Sequence, residues 1–95
     1  MYCLTSRIVL LAYERQSPND GEGAFCGHCD TRVNIWLGNM VAIPRIPFAS
    51  GGKRDNLNCI VVCPKCYSEL GEGNRTIEFS ELPHYRVRKI GKNSF

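Results

Sequence analysis

The sequence lacks any long apolar run. Its longest uninterrupted stretch, Ile8 to Tyr13, falls far short of the roughly 20 residues a bilayer core requires, which excludes a transmembrane helix. The same stretch makes a poor secretory signal. It is shorter than a typical signal core, Arg7 is the single charge before it, and no convincing small-residue cleavage site precedes the polar stretch Gln16 to Gly23. The expectation is an intracellular, cytoplasmic protein with no membrane partner. A dominant charge is missing too: 12 basic against 9 acidic side chains give a formal net charge of +3, too mild to name a partner. Hydrophobic residues at 43% and charged residues at 22% sit near globular averages, which argues against a disordered tail or a collagenous repeat.

What remains is a single small domain, residues 1–95. A chain this short buries only about 60 to 65% of the surface its unfolded form exposes, so its core leaves little margin over conformational entropy. An additional staple is expected, and six Cys are present to provide it. Cys26-Gly27-His28-Cys29 and Cys63-Pro64-Lys65-Cys66 are two CxxC pairs separated by 33 residues. Two residues between thiolates let both sulfurs reach one ion at about 2.3 Å, and two such pairs complete the tetrahedral set that structural Zn²⁺ prefers. Gly27 is expected to permit the tight turn, and Pro64 suits the start of a helix. The competing reading is disulfide chemistry, but a thioredoxin-like pair would need a βαβ context that is absent. His28 could replace a sulfur, although four Cys leave it a bystander. Cys59 reads as a small core residue. Four thiolates fill the coordination sphere, so the ion holds the fold and leaves no position for catalytic water.

Around the pairs, residues 4–15 are an edge strand or a short helix, and periodicity does not decide between them. Residues 16–23 are loop chemistry. Arg32 to Leu37, a turn at Gly38-Asn39, and Met40 to Ile43 read as a β-hairpin. Pro44 and Pro47 confine any strand there to an edge. Leu57 to Val62 is a buried β run leading to a helix of one or two turns, and Ile77 to Phe79 and Tyr85 to Arg88 alternate in the strand manner. The boundaries are an N-terminal arm and loop (1–23), a zinc-binding core (24–73) and a C-terminal basic β extension (74–95).

The ordered set Pro47, Gly51-Gly52, Asn56-Leu57, Cys63 and Cys66 resembles the zinc-stabilised branch of the HNH nucleases over residues 24–73, a little over half of the chain. The resemblance implies an α+β fold: a small zinc-stabilised treble-clef, HNH-like ββα finger with flanking β segments. In that family a hairpin His activates water for attack on a phosphodiester beside a divalent ion. Here the general-base position falls on Pro44 or Val41, the acid before it on Ile43 or Met40, and the final ligand on Tyr67. None of these can do that work, and only Asn56 survives, as a residue that ties the loop to the backbone. A relocated site would have to use His84, Asp30, Asp55 or Glu69.

The expectation is therefore a catalytically degenerate module that binds DNA or RNA without cleaving it. Arg45, Lys53 and Arg54 fall on the loop that would face phosphates, and Arg86, Arg88, Lys89 and Lys92 form a basic arm free of acidic residues. The alternatives are a protein-interaction module, a small regulator or inhibitor anchored by Trp36 and Ile35 with Met40, Phe48 and Phe79, and an active divalent-metal-dependent endonuclease. Against the interaction surface, a small chain is expected to use Trp36 in its scarce core.

Overall fold

The structure, a computed structural model, describes residues 5–87. It is α+β, with two short antiparallel sheets. Helix α1 (Ser6–Arg15) resolves the first ambiguity in favour of a helix: the Thr5 side chain accepts from the Ile8 N–H at 3.3 Å and caps it. Ala12 and Arg15 are buried, and Ile8, Val9 and Tyr13 pack on the core, a helical spacing that turns Leu10 and Leu11 outward.

Strand β1 (Ala24–Phe25) pairs with β2 (Arg32–Val33) across the first cysteine knuckle, in register Ala24 to Val33. Strand β3 (Val41–Pro44) pairs with β4 (Cys59–Val62), with Val41 opposite Val62 and Pro44 opposite Cys59. Helix α2 (Pro64–Glu69) follows directly. Pro44, which has no N–H to donate, closes β3 at its end, as its chemistry requires.

The expected hairpin from Arg32 to Ile43 does not form. Strand β2 pairs backward with β1 and stops at Val33, because two asparagines offer the chain a local alternative to the ladder. The Asn34 N–H donates to Asn39 Oδ1 and the Trp36 N–H donates to Asn34 Oδ1, both at 2.8 Å. The expected C-terminal strands are not seen among the described residues either: no strand occurs within residues 74–87. Glu78 and Glu81 close a capping box around a 3₁₀ turn (Phe79–Glu81). The segment becomes an irregular strap that buries Ile77 and Leu82. Its anchors are the Ile77 N–H on the Arg45 carbonyl and the His84 N–H on the Gly27 carbonyl.

Strand β4 is the centre of the core, every residue of it fully buried. Two side chains that the sequence places at the edge of a loop fasten α1 to it. Gln16 Nε2 donates to the Phe25 and Val61 carbonyls at 2.9 and 2.8 Å, and its Oε1 accepts from the Val61 N–H at 3.0 Å. Arg15 reaches the carbonyls of Tyr85, Asn56 and Cys59 at 2.7, 2.6 and 2.6 Å. Burial lowers the Arg15 pKa from its ordinary value, opposed chiefly by Tyr85. The three carbonyls nevertheless give this buried cation the partners it needs.

Candidate metal centre

The two knuckles bring Cys26, Cys29, Cys63 and Cys66 together, with their ligand atoms all within 4.8 Å of one another. The Cys29 and Cys63 sulfurs are 3.8 Å apart, which matches the separation of about 3.8 Å for sulfurs tetrahedrally placed at about 2.3 Å from one ion. Cys63 is the N-cap of α2 and Pro64 its first residue, as expected. Cys26 is delivered by β1, whose register is held by β2. Gly27 differs from expectation: it is not among the glycines with positive φ. Its N–H donates to the Val61 carbonyl at 2.9 Å, which docks the first knuckle on β4.

Backbone donors point at the sulfurs. The Cys63 N–H lies 3.3 Å from Cys26 Sγ and the Thr31 N–H 3.4 Å from Cys29 Sγ. Burial pushes the Cys26 thiol up, and burial with the neighbouring thiols pushes Cys66 up as well. At Cys29 burial acts in the same direction, but the Thr31 hydroxyl and N–H outweigh it and lower this thiol to about 6. Four adjacent thiols cannot all ionise without a cation, whereas a divalent metal ion removes that conflict. The site can therefore hold a metal ion. The five described cysteines are free thiols. Cys59 is fully buried, and burial raises its thiol to about 11, partly countered by Arg15. It is a core residue.

Of the seven cations assigned to nucleic acid, Arg88, Lys89 and Lys92 lie outside the described residues. Arg45 lies over the Phe79 ring at 4.1 Å and donates to the Ile77 carbonyl at 3.0 Å. Arg54 lies over Phe48 at 4.1 Å, and Lys53 and Arg86 are exposed. Arg45 and Lys53 share a pocket of about 370 Å³ with Leu57 and Asp55.

Of the residues considered for a relocated site, only His84 and Asp30 are seen to meet. His84 Nε2 meets Asp30 Oδ1 at 2.8 Å, Asp55 accepts from the Asn58 N–H, and Glu69 lies beside Cys66. Tyr67 lines a separate pocket of about 420 Å³ with Pro44, Pro47 and Phe48.

Three sequence assignments change. Asn58, not Asn56, ties the loop: Oδ1 accepts from the Ile46 N–H, and Nδ2 donates to the Ile46 and Lys53 carbonyls. The Asn-Leu-Asn triplet contains both candidates, and only the one adjoining β4 is buried. His28 does not replace a sulfur in the four-cysteine set, but it is tied into the fold, its Nδ1 lying 2.7 Å from the Glu81 carbonyl oxygen. Trp36 is outside the core, 89% exposed at the tip of the Asn34 turn with Leu37 at 76%. No helix among the described residues is long and apolar enough to cross a membrane. Comparison with known protein families, curated proteins and solved structures yields no match for the chain.

Proposed function

We propose that the chain is a structural-zinc module of the treble-clef type, built on an HNH-like scaffold without its catalytic groups, and that it binds nucleic acid without cleaving it. The observation that carries the first part is the convergence of four cysteine sulfurs within 4.8 Å, two from each knuckle. A closed, all-sulfur tetrahedral set favours Zn²⁺ over the harder divalent ions. The order β3, β4, knuckle, α2 supports the ββα comparison, and Pro44 and Tyr67 leave the family's catalytic positions without a base or a ligand.

The nucleic-acid reading is supported by Arg45 and Lys53 on one pocket beside the exposed Leu57, with Arg54 next to Lys53 in sequence. Arg45 is held by a ring and a carbonyl before any ligand arrives, which reduces the ordering cost of binding. The test is a fluorescence-anisotropy titration of labelled single- and double-stranded DNA and RNA across salt concentrations. Replacing Lys53 and Arg54 together by Ala should flatten the salt slope by about 0.9 for each phosphate that is no longer neutralised. No measurable affinity at low salt for any of these probes sinks the reading. Native mass spectrometry tests the zinc, with at least one tightly bound ion and four ionised thiols expected. Complete chelation should abolish the native circular dichroism signal, because structural zinc contributes on the order of 10 kcal/mol, as much as a small domain's whole stability.

A specific observation favours a second reading. Trp36, Leu37 and Ile35 project from the fold at 89%, 76% and 37% exposure, the composition of an interaction anchor. A protein partner retained by the wild type and lost with Trp36→Ala, while nucleic-acid affinity is unchanged, would establish it. Plasmid nicking with Mg²⁺, Mn²⁺ or Ni²⁺ that EDTA abolishes would instead overturn the non-catalytic assignment.

A further inference from the structure

Cys66 belongs to two groups of ligands. Besides the four-cysteine set, it lies with His28 and Glu69 in a cluster whose ligand atoms are also within 4.8 Å of one another. The local structure explains the grouping. Cys66 and Glu69 are three residues apart on α2 and so share a face, while the first knuckle carries His28 between its two cysteines. The imidazole is already oriented. Its Nδ1 lies 2.7 Å from the Glu81 carbonyl oxygen, and a carbonyl only accepts, so the tautomer that makes this bond has its proton on Nδ1 and its lone pair on Nε2. Metal-ligating histidines are characteristically held in this way, with the second ring nitrogen donating to a carbonyl or carboxylate. Glu81 is in turn fixed by two hydrogen bonds from Arg75 and by its capping box.

Electrostatics favour a cation at the same place. A divalent ion held by four thiolates leaves an anionic centre. A thiolate sulfur has lone pairs beyond the one it gives to the first ion. A second divalent ion at Cys66, with Glu69 as a further anionic ligand and His28 as a neutral one, would reduce the accumulated negative charge.

The geometry points to a second, weaker metal site in which His28, Glu69 and a bridging Cys66 thiolate bind a borderline-soft divalent ion such as Zn²⁺. Three protein ligands leave a coordination position open to solvent, unlike the closed four-cysteine centre. The second site rests on that centre holding zinc, because Cys66 must already be ionised and fixed.

The test uses the full chain, demetallated and reloaded under anaerobic reducing conditions. Zn²⁺ is titrated with native mass spectrometry as the readout, and ¹¹³Cd²⁺ with NMR. Two ions are expected, the second binding more weakly, together with two ¹¹³Cd resonances coupled through the shared sulfur. Glu69→Gln and His28→Ala should each weaken the second ion about tenfold or more while retaining the first. Glu69 is solvent-exposed, so its replacement keeps the test decisive even if the His28 variant folds poorly. A single ion at saturation overturns the second site and leaves the zinc reading standing. Two ions with the second unaffected by both substitutions overturns the assignment to these residues. Failure to bind any ion overturns both readings.

Discussion

Asn58→Ala separates the loop architecture of the fold from the one the sequence suggests. The Asn58 side chain is 7% exposed and makes three bonds to backbone groups of the 45–54 loop: from the Ile46 N–H at 2.8 Å, to the Ile46 carbonyl at 3.0 Å and to the Lys53 carbonyl at 2.9 Å. A side-chain methyl can replace none of them. At about 1 kcal/mol for each missing bond, the variant should lose about 3 kcal/mol. In a domain of this size that corresponds to a fall in Tm of about 12 to 24 °C. The assay is thermal unfolding with free zinc held constant, since metal activity itself moves Tm. Asn58→Asp should do no better, because it loses both donors and buries a charge. Asn56 contributes its carbonyl, not its side chain, to Arg15, so Asn56→Ala should cost less than about 0.5 kcal/mol. An Asn58→Ala protein as stable as the wild type, or an Asn56→Ala protein equally damaged, refutes the reasoning.

Arg15→Lys should lose roughly 2 kcal/mol in urea denaturation, because one ammonium cannot replace a fork that reaches the Tyr85, Asn56 and Cys59 carbonyls together. Unchanged stability would show the fork to be dispensable. Thr31→Val removes the hydroxyl 3.2 Å from the Cys29 sulfur, one of the groups that hold this thiol near 6. Protons compete with metal as pH falls, so a Cys29 with a higher pKa must release the ion at higher pH. One hydrogen bond to a charged sulfur is worth about one pKa unit, shared among thiolates that protonate together, so the release midpoint should rise by roughly a few tenths of a unit. A midpoint that falls contradicts the assignment. Trp36 is the single Trp and is 89% exposed, so its emission should be that of solvated indole, fully quenched by acrylamide, with Trp36→Ala altering stability by less than about 0.5 kcal/mol. Blue-shifted, protected emission would place it in an interface.

The four-cysteine cluster is the most legible part of the sequence because it depends on spacing. A CxxC pair fixes its own local geometry, and two pairs need only a chain that brings them together. Strand β4 is legible for a related reason, since a run of branched apolar residues has few alternatives to burial. The hairpin misleads because strand propensity at Arg32 to Leu37 looks the same whether or not asparagine side chains intercept the backbone at Asn34 and Asn39. That competition is decided by distances of 2.8 Å, which composition does not report. Trp36 misleads with it, since a residue assigned to a strand inherits a face, whereas one at a turn tip does not. Arg15 and Gln16 are hidden more deeply: they are polar and adjoin a loop, and their partners lie 41 to 70 and 9 to 45 residues away in the chain.

These long-range bonds decide whether residues 24–73, the core expected from the sequence, could fold alone. The cut would remove Ala12, Ile77 and Leu82 from the core, whose burial is worth about 5 kcal/mol in total, with most of it from the two larger side chains. It would also remove Gln16, leaving the Val61 N–H and carbonyl without their side-chain partner, and Arg15, leaving the Asn56 and Cys59 carbonyls without theirs. At about 1 kcal/mol for each of the five bonds that Gln16 and Arg15 make to residues of the fragment, the total loss comes to about 10 kcal/mol, comparable with what a structural zinc would contribute. Neither term dominates, so the fragment should bind zinc through its knuckles without settling into one packed structure. In ¹⁵N–¹H correlation spectra of the zinc-loaded fragment, the knuckle amides should keep their shifts while those of β3 and β4 collapse toward random-coil values. If β4 amides instead coincide with those of the whole chain, the metal alone organises the sheet, and α1 and the C-terminal strap are ornaments on a self-sufficient finger.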